Sequence, residues 1–164
     1  MKRFVALAAA AVVALLAAEV GPAVAMGSSQ PPARTASDDY NDAVRAVEKK
    51  DFKQAIELLT RVLKETPRNA DALNYMGFSQ RKTGEHQKAI DFYKQALAVN
   101  PDHRGANEYL GEAYLEINDL PKAEERLAHL INVCGQSCKE TQELSKAVAA
   151  YKTGKPNQSS RRWD

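Results

Sequence analysis

Residues 70–103 read ADALNYMGFSQRKTGEHQKAIDFYKQALAVNPDH, and the order of small, large and turn-forming residues in this stretch decides the fold. Leu73, Met76, Gly77 and Gln80 recur at steps of three and four, the period of an amphipathic helix. Gly84 suits the left-handed conformation that ends a helix, and Glu85 favours the start of the next one. A second helix, His86 to Asn100, carries a small residue at Ala89 and a large one four further on at Tyr93. Pro101 stops it, because the residue before a proline is pushed out of the helical region. The stretch reads as one helical hairpin.

Working outward, the same features return every 34 residues: Ala55, Ala89 and Ala123; Pro67, Pro101 and Gly135; Ala43, Gly77, Gly111 and Ser145. A fixed period of this length is the signature of stacked helical hairpins. The frame predicts repeats over 36–69, 70–103 and 104–137, with second helices from Phe52 to Thr66 and from Leu120 to Cys134 beside that of the central repeat. Turns fall at Lys50-Asp51, Gly84-Glu85 and Asn118-Asp119, and Pro121 stands near a first helical position, where its missing N–H costs nothing. The small residues let two helix backbones approach within a hairpin, while Leu59, Tyr93 and Leu127 fill the grooves between hairpins. Residues 138–153 keep the register as a capping helix that buries one side and faces water on the other, closing a domain over 38–153.

This pattern resembles the tetratricopeptide repeat over about residues 36 to 152. Leu73, Met76-Gly77, Gly84, Ala89, Tyr93, Ala96 and Pro101 carry the likeness in the central repeat. The first repeat departs from it, with Asp39 and Asp42 where bulky residues are usual, so its first helix is expected to fray. The third has Gly135 in place of the proline. The resemblance implies an all-α, right-handed superhelical solenoid of three hairpins plus the capping helix. It also implies a concave face lined by first helices, with Tyr40, Val44 and Val47, Asn74, Phe78 and Arg81, and Glu108, Glu112 and Leu115 pointing inward. An extended or helical peptide would place apolar side chains near Phe78 and Val44 and a basic one near Glu108 and Glu112. The alternative is that Phe78 and Val44 pack in the core and the glutamates form a solvated face. A clamp for a terminal carboxylate is not expected, because Tyr40, Val44, Gly105 and Tyr109 stand where it needs lysines and asparagines.

The ends of the chain carry other signals. Lys2 and Arg3, the apolar run Phe4 to Ala18 and the small-x-small Ala23-Val24-Ala25 have the layout of a signal peptide over 1–25, too short an apolar run to span a bilayer. The expected location is the periplasm, and the expected partner is a protein or peptide of the cell envelope, with self-association a further possibility. A flexible lead-in is expected over 26–37 and a disordered tail over 154–164, where Trp163 is read as part of a nonfunctional end. The formal charge is +2 over 164 residues, which provides no general attraction for nucleic acid or anionic lipid.

Cys134 and Cys138 span the turn where the earlier repeats have proline, and in an oxidising compartment they read first as a disulfide. A thiol–disulfide or metal-handling role for the same pair, with His129 as a further ligand, is the competing class. His86 is expected to pack, and His103 and His129 do not converge with it. No nucleophile motif or phosphate-binding glycine loop occurs, so neither catalysis nor a cofactor is expected.

Overall fold

The structure is a computed structural model that describes residues 34–154. The expected signal peptide, the expected lead-in up to residue 33 and the tail from 155, with Trp163, lie outside the described residues. Among the described residues there are seven α-helices and no strand: α1 (Ala36–Glu48), α2 (Phe52–Glu65), α3 (Ala70–Lys82), α4 (His86–Val99), α5 (Arg104–Glu116), α6 (Leu120–Cys134) and α7 (Lys139–Lys152). They form an all-α solenoid of three hairpins with α7 as its last element.

Each hairpin reverses at a residue with positive φ, and these residues are 34 apart: Lys50 (61°), Gly84 (86°) and Asn118 (62°). Side chains then satisfy the free N–H groups that open the following helices. Asp51 accepts from the Gln54 N–H at 3.0 Å, Asn69 from Ala72 at 2.9 Å and Asp119 from Lys122 at 3.3 Å. Glu85 makes no such bond and instead pairs with Lys88 at 3.0 Å.

Small residues set how closely the helices approach. A Cβ placed on Gly77 would lie 2.7 Å from Tyr93 Cε1 and 3.1 Å from the Ala89 carbonyl oxygen, so α3 and α4 meet through the absence of a side chain. Gly111 has a neighbour beyond its own hairpin. A Cβ there would lie 2.5 Å from Cδ2 of Leu144, so this glycine also admits the capping helix α7. Leu144, Ala147, Val148 and Thr141 form the buried side of α7, and Gln142, Ser145 and Lys146 face out.

The first helix does not fray as its composition predicts. Arg34 to Ser37 are not lead-in: Thr35 caps α1 in a reciprocal box with Asp38, and α1 begins at Ala36. Asp39 is buried and receives Arg61 Nε at 2.6 Å, Arg61 Nη2 at 3.0 Å and Arg34 Nε at 2.9 Å. The fork of Arg61 therefore ties α1 to α2 where a bulky residue was expected. The Arg61 hydrogen bond, against the opposing effect of burial, holds the Asp39 carboxyl below its usual range. A carboxylate with a depressed folded-state pKa contributes stability that is present above its unfolded value, about 4, and is lost as pH falls through the folded value. Asp39→Asn is accordingly expected to have a lower urea midpoint than wild type at pH 7. In acid the two midpoints should converge, which unfolding series across pH would register.

Candidate functional site

The first helices α1, α3 and α5 share one face, and an aromatic row runs along it. Tyr40 meets Tyr75 edge-on with ring centroids 6.1 Å apart, and Phe78 meets Tyr109 at 5.2 Å. Tyr109 continues inward to Tyr93 at 6.1 Å. Burial, and secondarily the negative charge of Asp71, pushes the Tyr40 phenol up to about 12, and Tyr75 is raised by the same two causes. Both therefore present neutral hydroxyls at ordinary pH.

Two depressions flank this row. An apolar pocket of about 90 Å³ is lined by Val44, Val47, Glu48, Tyr75, Phe78 and Tyr109. A polar cleft of about 430 Å³ lies on the other side of Tyr75 and Tyr109. Its walls come from α3 (Asp71, Asn74), the turn between α4 and α5 (Asp102, His103), α5 (Glu108), and the start of α7 (Lys139, Glu140). The tyrosines at 75 and 109 border both depressions and are absent from the sequence-based list of groove residues. Their 34-residue separation was the signal that could have found them.

The structure divides the expected groove residues into four groups. Tyr40 and Val44 are half-buried at the amino-terminal end, and Phe78, 2% exposed, belongs to the core while contributing a wall of the apolar pocket. Val47 and Leu115 are core residues. Asn74 and Glu108 line the polar cleft, each 6% exposed. Arg81 and Glu112 face each other instead of the groove: Arg81 Nη1 lies 2.7 Å from Glu112 Oε2 and 3.4 Å from Glu116 Oε1. The guanidinium also sits 5.8 Å from the Phe78 centroid and 5.6 Å from that of Tyr109, within cation–π reach. The basic partner anticipated for Glu112 is thus supplied from within the chain.

The histidines hold turns together. His103 Nδ1 accepts the Ala106 N–H at 3.1 Å, capping α5, while its Nε2 lies 3.0 Å from Asp71. Because Nδ1 accepts, the proton sits on Nε2 and is donated to the carboxylate. His86 is exposed and lies 2.9 Å from Glu116, so it is not the packing residue its register implied. His129 turns to the Pro101 carbonyl at 3.1 Å and Asp102 at 3.2 Å. The structure thus gives the cysteines Glu140, not His129, as their neighbour among metal-ligating side chains in the described residues. Cys134 and Cys138 are joined with Cα atoms 5.8 Å apart, at the join of α6 and α7. Thr141 Oγ1 lies 3.0 Å from the Cys138 sulfur.

Comparison with known proteins matches residues 70–103 to the family described as Tetratricopeptide repeat. The uncharacterized protein ycf37 of Pyropia yezoensis is 40% identical over 55 residues, which are 34% of this chain and 31% of that relative, so the match spans about a third of its length. Among solved structures, the first repeat domain of Spaghetti (RPAP3) bound to the HSP90 peptide SRMEEVD superposes with a TM-score of 0.64 at 16% identity. That similarity covers 72% of this chain and 95% of the other. The TPR2B domain of yeast Sti1, in a complex with pHsp70, gives a TM-score of 0.65 at 17% identity over 73% of this chain and 98% of the other. At these identities the structural likeness is one of fold.

Proposed function

We propose, from the premise that this chain is a tetratricopeptide-repeat protein, that it is a binding module holding a peptide segment of a partner protein across α1, α3 and α5. The family generally serves protein interaction rather than catalysis, and two of its structural neighbours are complexes with chaperone segments. The observation that carries the reading is the pairing of an apolar pocket with a polar cleft on one face, joined at Tyr75 and Tyr109. A pocket of about 90 Å³ accepts a small apolar side chain, and a neighbouring wet cleft accepts a polar one. The amino-terminal layout of residues 1–25 supports export, so the partner is read as a protein of the cell envelope and the role as a periplasmic adaptor or scaffold.

A photo-crosslinking residue at Tyr75, in the native host, tests this. Phe78 is too deeply buried for the purpose. An adduct with one envelope protein that disappears when a bulky residue fills the apolar pocket, as in Val44→Trp, supports the adaptor. Adducts that survive that change, or no adduct from folded protein, overturn it.

The cysteine pair is read as a structural bridge that fixes α7 against α6. Its Cα separation of 5.8 Å lies inside the usual disulfide range. Closing so short a loop contributes roughly 2 kcal/mol in the chain-entropy account. Reductant is expected to lower the melting temperature of wild type by several degrees and to leave a Cys134→Ser/Cys138→Ser variant unmoved, which paired thermal melts would measure.

A further inference from the structure

We infer that the polar cleft is a subsite for an organic cation of the bound peptide, a lysine or arginine side chain or a free amino terminus. The inference rests on the reading of the groove as a peptide site and specifies its chemistry. Four carboxylates border the cleft, Asp71, Asp102, Glu108 and Glu140, against two cations, Arg104 and Lys139. His103 does not alter that balance, because its Nδ1 accepts a backbone N–H and its Nε2 donates to Asp71. Asp71 and Asp102 are well exposed and partly screened, whereas Glu108 is buried in the wall, where charge acts through less water.

An independent observation points to a donor. Asn74, more than nine-tenths buried, lines the cleft beside Glu108, and its Oδ1 accepts no hydrogen bond. A sealed acceptor without a partner is costly, and a native structure that keeps one calls for an explanation. The last torsion of asparagine is soft, so the amide can turn that oxygen toward a donor entering the cleft. The missing side chain of Gly105 gives the amide room: a Cβ there would stand 3.4 Å from Asn74 Nδ2 and 3.5 Å from the His103 ring. An ammonium or guanidinium supplies several N–H donors to Oδ1 and a positive charge to the surrounding carboxylates. The selectivity is opposite to that suited to an acidic peptide such as SRMEEVD, which the RPAP3 domain holds.

The test is selection of a phage-displayed random dodecapeptide library on the full chain, followed by titration of a selected synthetic peptide. The expected result is enrichment of peptides with a lysine or arginine close to a small apolar residue. Their affinity should fall about ten-fold in an Asp71→Asn/Glu108→Gln variant, the size of one lost charge-assisted contact. Gly105→Ala narrows the cleft at ordinary contact distance and is expected to weaken the same peptides while leaving the far-UV spectrum unchanged. Acetylating the peptide amine, or replacing its lysine with norleucine, identifies which cation is held, and loss in either arm supports the subsite. Enriched peptides that are uncharged or acidic, indifferent to Asp71→Asn/Glu108→Gln but abolished by Val44→Trp, overturn the cation subsite and leave the groove standing. If folded protein enriches no peptide, both readings fall.

Discussion

Arg81→Ala is expected to lose about 3–5 kcal/mol of unfolding free energy, the usual cost of removing one partner from a buried ion pair. Both side chains of the Arg81–Glu112 pair are nearly inaccessible, at 4% and 3% exposure. Removing the guanidinium takes from Glu112 a cation at 2.7 Å and from Glu116 one at 3.4 Å, and also strips the faces of Phe78 and Tyr109 of a neighbour. Replacing the pair together, as Arg81→Met/Glu112→Leu, is expected to restore stability to within about 1 kcal/mol of wild type or above it, because desolvation largely offsets the attraction between buried charges. Urea unfolding of Arg81→Met, Glu112→Leu and the double variant closes the cycle, and a strongly unstable double variant would mean that the pair itself dominates the region.

Tyr93→Ala is the second large effect, expected to cost about 3–5 kcal/mol through the cavity it leaves. The ring is fully buried and lies on the bare backbone of Gly77, with Tyr109 beside it. Gly77→Ala should be destabilising by about 1–3 kcal/mol even though alanine is the better helix former by about 1 kcal/mol, because its methyl meets the ring at 2.7 Å. In the Tyr93→Ala background that methyl enters vacated space, so Gly77→Ala is expected to become stabilising. The sign reversal, read from thermal or urea midpoints, separates a packing conflict from a backbone effect. Tyr93→Phe should be mild by comparison, since the hydroxyl it deletes has no hydrogen-bond partner.

The helix phases were readable from sequence because they depend on near neighbours. The 34-residue rows of small residues, with Gly84 and Asn118 at the turns, place α3, α4, α5 and α6 where the structure has them. What the sequence did not disclose are pairings across the period. Asp39 reads as a misplaced polar residue until Arg61, 22 positions on, arrives beside it. Arg81 and Glu112 read as two groove-facing groups because each projects from the expected face of its own helix. Their separation of 31 residues, one repeat less about one turn, brings them together on adjacent first helices. Tyr75 and Tyr109 were hidden by the prior assignment of the groove to other positions, although they recur at the period of the fold. Gly111 looked like a copy of Gly77, yet the atoms nearest to a side chain there belong to Leu144 in α7, 33 positions on, and not to its own hairpin as with Tyr93.

The helices of this array meet in a strictly serial way. α1 contacts α2 and α3, α3 contacts α4 and α5, and α5 contacts α6 and α7, and among the described residues the backbones of the first and last hairpins do not approach each other, meeting only through the Tyr109 side chain at the apolar pocket. No early contact waits for a late segment to arrive, so the entropy of closing long loops is largely avoided and rapid folding follows. Growth can also be vectorial: the α1–α2 hairpin has its own tie in Asp39 and Arg61, and each later hairpin finds a finished surface to build on. The array can in this sense be assembled in the order in which it is written, with α7 and its cysteine pair docking on a surface already formed.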